Sequence, residues 1–354
     1  MKYQDIRIIN LLEELRNILL KRNKEFKKTQ VRKKTVITHP TVIHEQNNTI
    51  ITLHQNEQFR RKILNLLQRN IKDIVEEKDI TDLIIKTKND KEIYKKLYRI
   101  FYYKWQQELL KRSTKKEILN PILIDILNKI PEIRKEIFNG NEQDTKIRSF
   151  LDFGCGDGKK TIEIAKLLHI TNPKCFDIND KINSVDIRNQ ISHQFKYQNE
   201  KLPYKNESQD LITSLLVFHH IPNMEEIIRE LHRIAASGCI LIIQEHDCNS
   251  KEFAMYLDVI HALYDIVWKS VKNVEKLINE FYQDYYSNYR NKSSWINIME
   301  YNGWEYIKEI DIYQKTEKNP QAMFFSAFKK VDILGYSRNN NNLNNINISK
   351  IQKI

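Results

Sequence analysis

The sequence predicts an α/β fold preceded by a basic, mainly helical segment, and three observations carry that expectation. The run Ser149–Leu168 reads as a buried strand, a glycine turn and an amphipathic helix. Downstream of it, strand and helix patterns alternate through Phe176, residues 210–218, 224–236 and 239–244. Upstream, from Glu57 to Phe138, apolar residues recur at helical spacing with no comparable alternation.

Residues 4–28 place Ile6, Ile9, Leu12, Leu15 and Leu19 at helical spacing and end in a cluster of Lys and Arg that continues to Arg32-Lys33-Lys34. Cations at a helix C-terminus are favourably placed, so the cluster reads equally well as a solvated helix end and as a phosphate-binding patch. The β-branched residues of 35–39 and 41–54, interrupted at Asn47-Asn48, predict a β-hairpin carrying His39, His44 and His54. No Cys or carboxylate keeps ligand spacing with these histidines, so no metal site is expected. Helices follow over about 57–77, 90–112 and 115–138. Tyr94, Tyr98, Phe101, Tyr102, Tyr103 and Trp105 share one of them with Lys95, Lys96, Arg99 and Lys104, a pattern suited to stacking bases or simply to helix packing. Asn139-Gly140-Asn141 then breaks the helix and closes an N-terminal module of residues 1–140.

At Asp152-Phe153-Gly154-Cys155-Gly156-Asp157-Gly158 the backbone turns from strand into helix. Alternate glycines let a ligand approach closely, and the helix N-terminus adds unpaired N–H donors. Asp152 and Asp157 would repel a pyrophosphate, so a cationic, uncharged or hydroxyl-rich ligand suits the loop better. Phe176-Asp177-Ile178 closes the next apolar run with an acid nineteen residues after Gly158, close to the spacing of a ribose-binding acid after a first βα turn.

These residues resemble motif I of class I S-adenosylmethionine (SAM)-dependent methyltransferases. The likeness extends through Leu202-Pro203-Tyr204, the strand 210–218 with His219-His220-Ile221-Pro222, helix 224–236, and strand 239–244 ending in Glu245-His246-Asp247. It implies a Rossmann-like seven-stranded sheet over residues 146–330, with SAM as cofactor. It further implies a cofactor site of Asp152, Gly154, Gly156, Gly158, Asp177, Ile178, Gln198, Asn199 and Phe218. Gln198 stands where many relatives carry an acid for the adenine amino group, and its amide oxygen can still accept from that group. The resemblance also implies a final helix and β-hairpin over 294–329, preceded by an aromatic-rich segment against the acceptor. The segment Glu245-His246-Asp247-Cys248 is similar to that of uncharacterised methyltransferases of large DNA viruses.

Methyl transfer needs alignment of the acceptor and exclusion of water more than it needs side-chain chemistry. The ends of the fourth and fifth strands nominate His219, Glu245 and His246 as catalytic residues, with His219 or His246 as base at neutral pH. The sequence lacks the Asp-Pro-Pro-Tyr, Asn-Pro-Pro-Tyr and Pro-Cys runs of several nucleic-acid methyltransferases. Ring nitrogens of nucleic acids, small molecules and protein side chains remain as acceptors.

Charge bears on the partner. Residues 1–150 hold 33 Lys and Arg against 20 Asp and Glu, while residues 151–354 hold 25 against 26. A basic module beside a neutral catalytic one suggests RNA or DNA, and slightly favours a nucleic-acid acceptor over a small molecule. A catalytically weak scaffold holding nucleic acid, with a protein partner in a larger complex, is the third reading. The four cysteines form no C-x-x-C pair and read as reduced thiols of a cytoplasmic protein with no membrane segment. The Asn-rich tail, residues 336–354, reads as disordered.

Overall fold

The structure, a computed structural model, describes residues 44–47, 119–140, 145–194, 201–268, 285–313 and 321–331, with Arg61, Asn65 and Lys96 as isolated positions. The expected N-terminal helix, its basic cluster, the aromatic and cationic helix around 94–105 apart from Lys96, Gln198, Asn199 and the Asn-rich tail lie outside these residues.

Helix α1 (Pro121–Ile137) begins where Asn120 accepts a hydrogen bond from the Ile122 N–H at 2.9 Å, with Pro121 in the first turn, where a missing N–H costs nothing. Its buried residues Leu123, Ile126, Leu127, Ile130 and Arg134 follow helical spacing. They pack with Phe150, Leu211, Ile240 and Ile242 of the sheet in one core. The Arg134 guanidinium, almost wholly buried, donates to the carbonyls of Thr145, Asp210 and Gly238 at 3.1, 3.3 and 2.9 Å and faces the Asp210 carboxylate. A boundary at residue 140 therefore runs between two elements of a single core.

The sheet contains β2 (Phe150–Phe153), β3 (Lys174–Phe176), β4 (Ser192–Gln194), β5 (Gln209–Leu215), β6 (Ala235–His246), β8 (Trp304–Tyr313) and β9 (Met323–Lys330). Its order is β4-β3-β2-β5-β6-β9-β8, the first five strands parallel and β9 antiparallel to both β6 and β8. This is the seven-stranded Rossmann-like fold that the sequence implied. The central strands read as unbroken apolar runs because both faces are covered. On one face lie α1 and α2 (Lys159–Leu167), with Ile164 and Ala165. On the other lie α4 (Met224–Ile234) and α6 (Lys292–Tyr301), with Ile228, Leu231, Trp295 and Met299. The short α3 (Val185–Arg188) sits between β3 and β4.

One local expectation is corrected and another is met only in part. Within the segment expected to form a hairpin, the structure describes β1 (His44–Asn47), paired antiparallel with β7 (Tyr286–Tyr289), far along the chain, and the rest of that segment lies outside the described residues. A short polar strand takes its partner from whichever unpaired edge the tertiary fold brings alongside, and the sequence pattern does not specify that edge. The cysteines are not all free: Cys155 and Cys175 are joined in a disulfide, while Cys239 and Cys248 are free and buried. Parallel pairing of β2 with β3 brings the loop after β2 beside Cys175, leaving the two Cα atoms 5.8 Å apart. Helix α5 (Lys251–Trp268) follows β6, and among the described residues no helix is long and apolar enough to cross a membrane.

Candidate active site

The glycine loop leaves β2 with Gly154, Gly156 and Gly158 all at positive φ, and Gly158 opens α2. A side chain at Gly154 would collide with Val217, which follows β5, so the loop and the end of β5 are in direct contact. A Cβ at Gly156 would meet nothing within 4 Å, which leaves open space against that stretch of backbone.

Two carboxylates fix the loop in different ways. Asp152 is buried, and its oxygens accept from the hydroxyls of Thr161 on α2 and Thr213 on β5, both at 2.6 Å. Burial pushes its carboxyl up, and the two hydroxyls pull it back down. Asp152 therefore braces strand, helix and neighbouring strand from within. Asp177, just past β3, accepts from the N–H of Gly156 at 2.9 Å and from that of Asn179 at 3.0 Å. Ile178 beside it is 70% exposed. An open glycine backbone, an acid with remaining lone pairs and a bare apolar side chain fit the backbone, ribose and base of SAM respectively.

Phe218 does not belong with them. It is fully buried, its ring 6.2 Å from that of Phe153 and 6.4 Å from that of Trp295. An aromatic ring between two other aromatic rings is core, and only its backbone N–H serves the site, donating to Glu245.

The three residues nominated for catalysis do come together. The turn Phe218–His220 after β5 and the end of β6 set His219 Nδ1 at 2.6 Å from Glu245 Oε2. Glu245 Oε1 accepts from the backbone N–H of Val217 and Phe218 at 3.2 and 2.8 Å. Both partners are fully buried. Burial pushes Glu245 up to about 8 against these backbone donors, and it holds His219 well below the usual histidine range. The ring of His246 lies 5.0 Å from that of His219, and its Nδ1 faces the Gln321 carbonyl at 2.9 Å. Burial lowers His246 to about 4.

Sequence reasoning had His220 at the strand end and the tyrosines in an aromatic-rich segment, but did not join His261 to them. His261 on α5 has its ring 5.4 Å from that of His219 and 5.7 Å from that of His246. Its Nδ1 lies 2.8 Å from the Leu257 carbonyl and 3.1 Å from the Tyr289 hydroxyl. That hydroxyl meets Tyr285, which with Ser287 donates to Asp258. His220 completes the group, its ring 4.0 Å from that of His219. Burial lowers His220 and His261 as well, so at neutral pH the cluster is an uncharged set of imidazoles with lone pairs to offer. Spacing alone could not find it, because the contributing residues come from four segments. The density of Tyr between 256 and 290, with His261 among them, was the available signal.

Residues 103–309, more than half of the chain, match a family described as a methyltransferase domain. Over 115 residues the chain is 30% identical to ajmaline N-methyltransferase of Rauvolfia serpentina, a match covering 30% of this chain and 38% of that one. The chain thus spans well under half the length of this curated relative. Among solved structures it is similar to the N-methyltransferase NodS of Bradyrhizobium japonicum in complex with S-adenosyl-L-homocysteine, at 12% identity and TM-score 0.38, covering 63% of this chain and 97% of that one. It is also similar to a SAM-dependent methyltransferase of Mesorhizobium loti, at 13% identity and TM-score 0.37, covering 52% and 91%.

Proposed function

We propose that this chain, which belongs to the methyltransferase-domain family, takes SAM as its methyl donor and methylates a nitrogen or oxygen of a small molecule. The glycine loop 154–158, Asp177 and Ile178 would hold the cofactor, which supplies a methyl group on a sulfonium leaving group. Gln198 and Asn199 remain assigned to its adenine by their position in the sequence. The acceptor would lie at the histidine cluster, across the contact between Gly154 and Val217. There the acceptor heteroatom bonds to the methyl carbon as the sulfur–carbon bond breaks, and the proton leaves through the cluster. Glu245 sets the orientation of His219, whose Nε2 lone pair then faces outward from the pair.

The observation that carries the acceptor class is depth. His219 and His246 are buried to within 1% of their surface, and a polymer would have to extrude a base to reach them. The likeness to ajmaline N-methyltransferase points the same way. A nucleic-acid acceptor, the preference drawn from sequence alone, becomes the second reading, supported by the cationic surplus of residues 1–150. SAM labelled in its methyl group, offered with metabolite extract, total RNA, DNA and protein, separates the two. Label in the low-molecular-weight fraction supports the proposal, and label confined to RNA or DNA overturns it.

A further inference from the structure

We propose that His219, His246 and His261 form a binding site for one divalent transition metal of the zinc class, with a coordination position left open for the acceptor.

Three observations converge on it. First, one donor nitrogen from each ring lies within 4.8 Å of the other two, although the rings come from the turn after β5, the end of β6 and α5. Second, each Nδ1 already has an oxygen partner: the Glu245 carboxylate for His219, the Gln321 carbonyl for His246 and the Leu257 carbonyl for His261. An imidazole whose Nδ1–H is held by a carboxylate or carbonyl presents Nε2 as a fixed lone pair, which is how histidine ligands are oriented around metals. Third, the Nε2 atoms of His219 and His246 are buried and have no hydrogen-bond partner. A buried acceptor without a donor is costly, and two of them in adjacent rings ask for a common ligand.

A cation answers this better than a protein hydrogen bond. Three neutral imidazoles suit zinc and its first-row neighbours, and a tetrahedral ion at about 2.0–2.1 Å from each nitrogen would draw them to roughly 3.3 Å apart, a shift of side-chain size. Asp258, behind Tyr285 and Tyr289, places a carboxylate near the site, and Glu245 fixes the Nδ1 side of His219. A His39, His44 and His54 site was the one weighed from sequence. The assembled trio is different, because only the fold unites it.

The open position refines the methyl-transfer reading and rests on it. A bound ion would polarise the acceptor heteroatom so that its proton could pass to water, and His219, His246 and His261 would act as ligands in place of a base. The site itself stands apart from that reading. The test uses the full chain, stripped with chelator and titrated with Zn²⁺ and with Co²⁺, and follows metal content and the visible bands of nitrogen-ligated cobalt. SAM affinity is measured in parallel. One equivalent per wild-type chain, lost in His261→Ala with SAM affinity retained, supports the site. Glu245→Gln keeps the side-chain shape and serves if the alanine variant does not fold, with metal affinity expected to fall about 10–100-fold. Wild-type protein that binds SAM but no metal overturns the site, as does equal metal uptake by wild type and both variants. Absence of SAM binding alongside stoichiometric metal uptake would sink the cofactor assignment and leave the metal site standing.

Discussion

The two halves of the parallel sheet's C-terminal edge treat buried polar groups in opposite ways. At the β2 and β3 end, Asp152 and Asp177 are almost wholly buried, and each carboxylate has two donors, from Thr161, Thr213, Gly156 and Asn179. At the β5 and β6 end, Glu245 is equally satisfied, but the histidines around it retain unpartnered nitrogens. The first end is braced, so that its backbone keeps one shape. The second has unspent bonding capacity, which is where chemistry on an acceptor can occur. Loss of a side chain should therefore alter binding at one end and turnover at the other.

The largest expected effect is at the second end. His219→Ala should lower kcat by about 10²–10⁴-fold while SAM affinity stays within about twofold, as read by single-turnover transfer and by calorimetric titration. A parallel collapse of SAM affinity would mean that the two ends are one site. Next, Asp177→Ala removes charge-assisted hydrogen bonds worth roughly 1.5–3 kcal/mol each and should weaken SAM binding at least about tenfold, with kcat at saturating SAM little changed. Unaltered affinity in that titration would take Asp177 out of the cofactor site. Third, Asp152→Ala leaves two buried hydroxyls without their acceptor and should cost roughly 1–3 kcal/mol of stability in urea denaturation. Weak SAM binding by fully folded variant would instead make Asp152 a direct contact. The smallest effect is Asn120→Ala, which removes the cap of α1 and should lower global stability by about 1 kcal/mol. An unmoved unfolding midpoint would show that α1 melts separately from the sheet it packs on.

How much was legible in advance follows the same division. The glycine turn and the place of Asp177 could be read because both are local: three positive-φ positions and one strand-end acid lie within 24 residues. Six of the seven strands were legible between turns, whereas β4, the polar Ser192-His193-Gln194, was implied only through the family resemblance. The cluster around His219 was half legible. His219, Glu245 and His246 follow strand ends, whereas His261 reaches them only because α5 folds back across the edge. Phe218 was misread for the same reason in reverse, since its place beside His219 in sequence hides the fact that the two side chains point into different surroundings. The Cys155–Cys175 bond likewise depends on which strands become neighbours. Helix α1 looked like the end of a separate module because the Asn-Gly break after it is local, while the fit of Arg134 into the carbonyls of Asp210 and Gly238 is not.

Ile178 remains a conspicuous surface, apolar and mostly in water one residue from a carboxylate that is nearly hidden. If a purine ring lies over it, that water is released when the cofactor arrives. Apolar surface leaving water lowers the heat capacity of the complex, so the enthalpy of SAM binding should grow more favourable with temperature. Methionine alone, which has no purine to cover the isoleucine, should lack most of that temperature dependence.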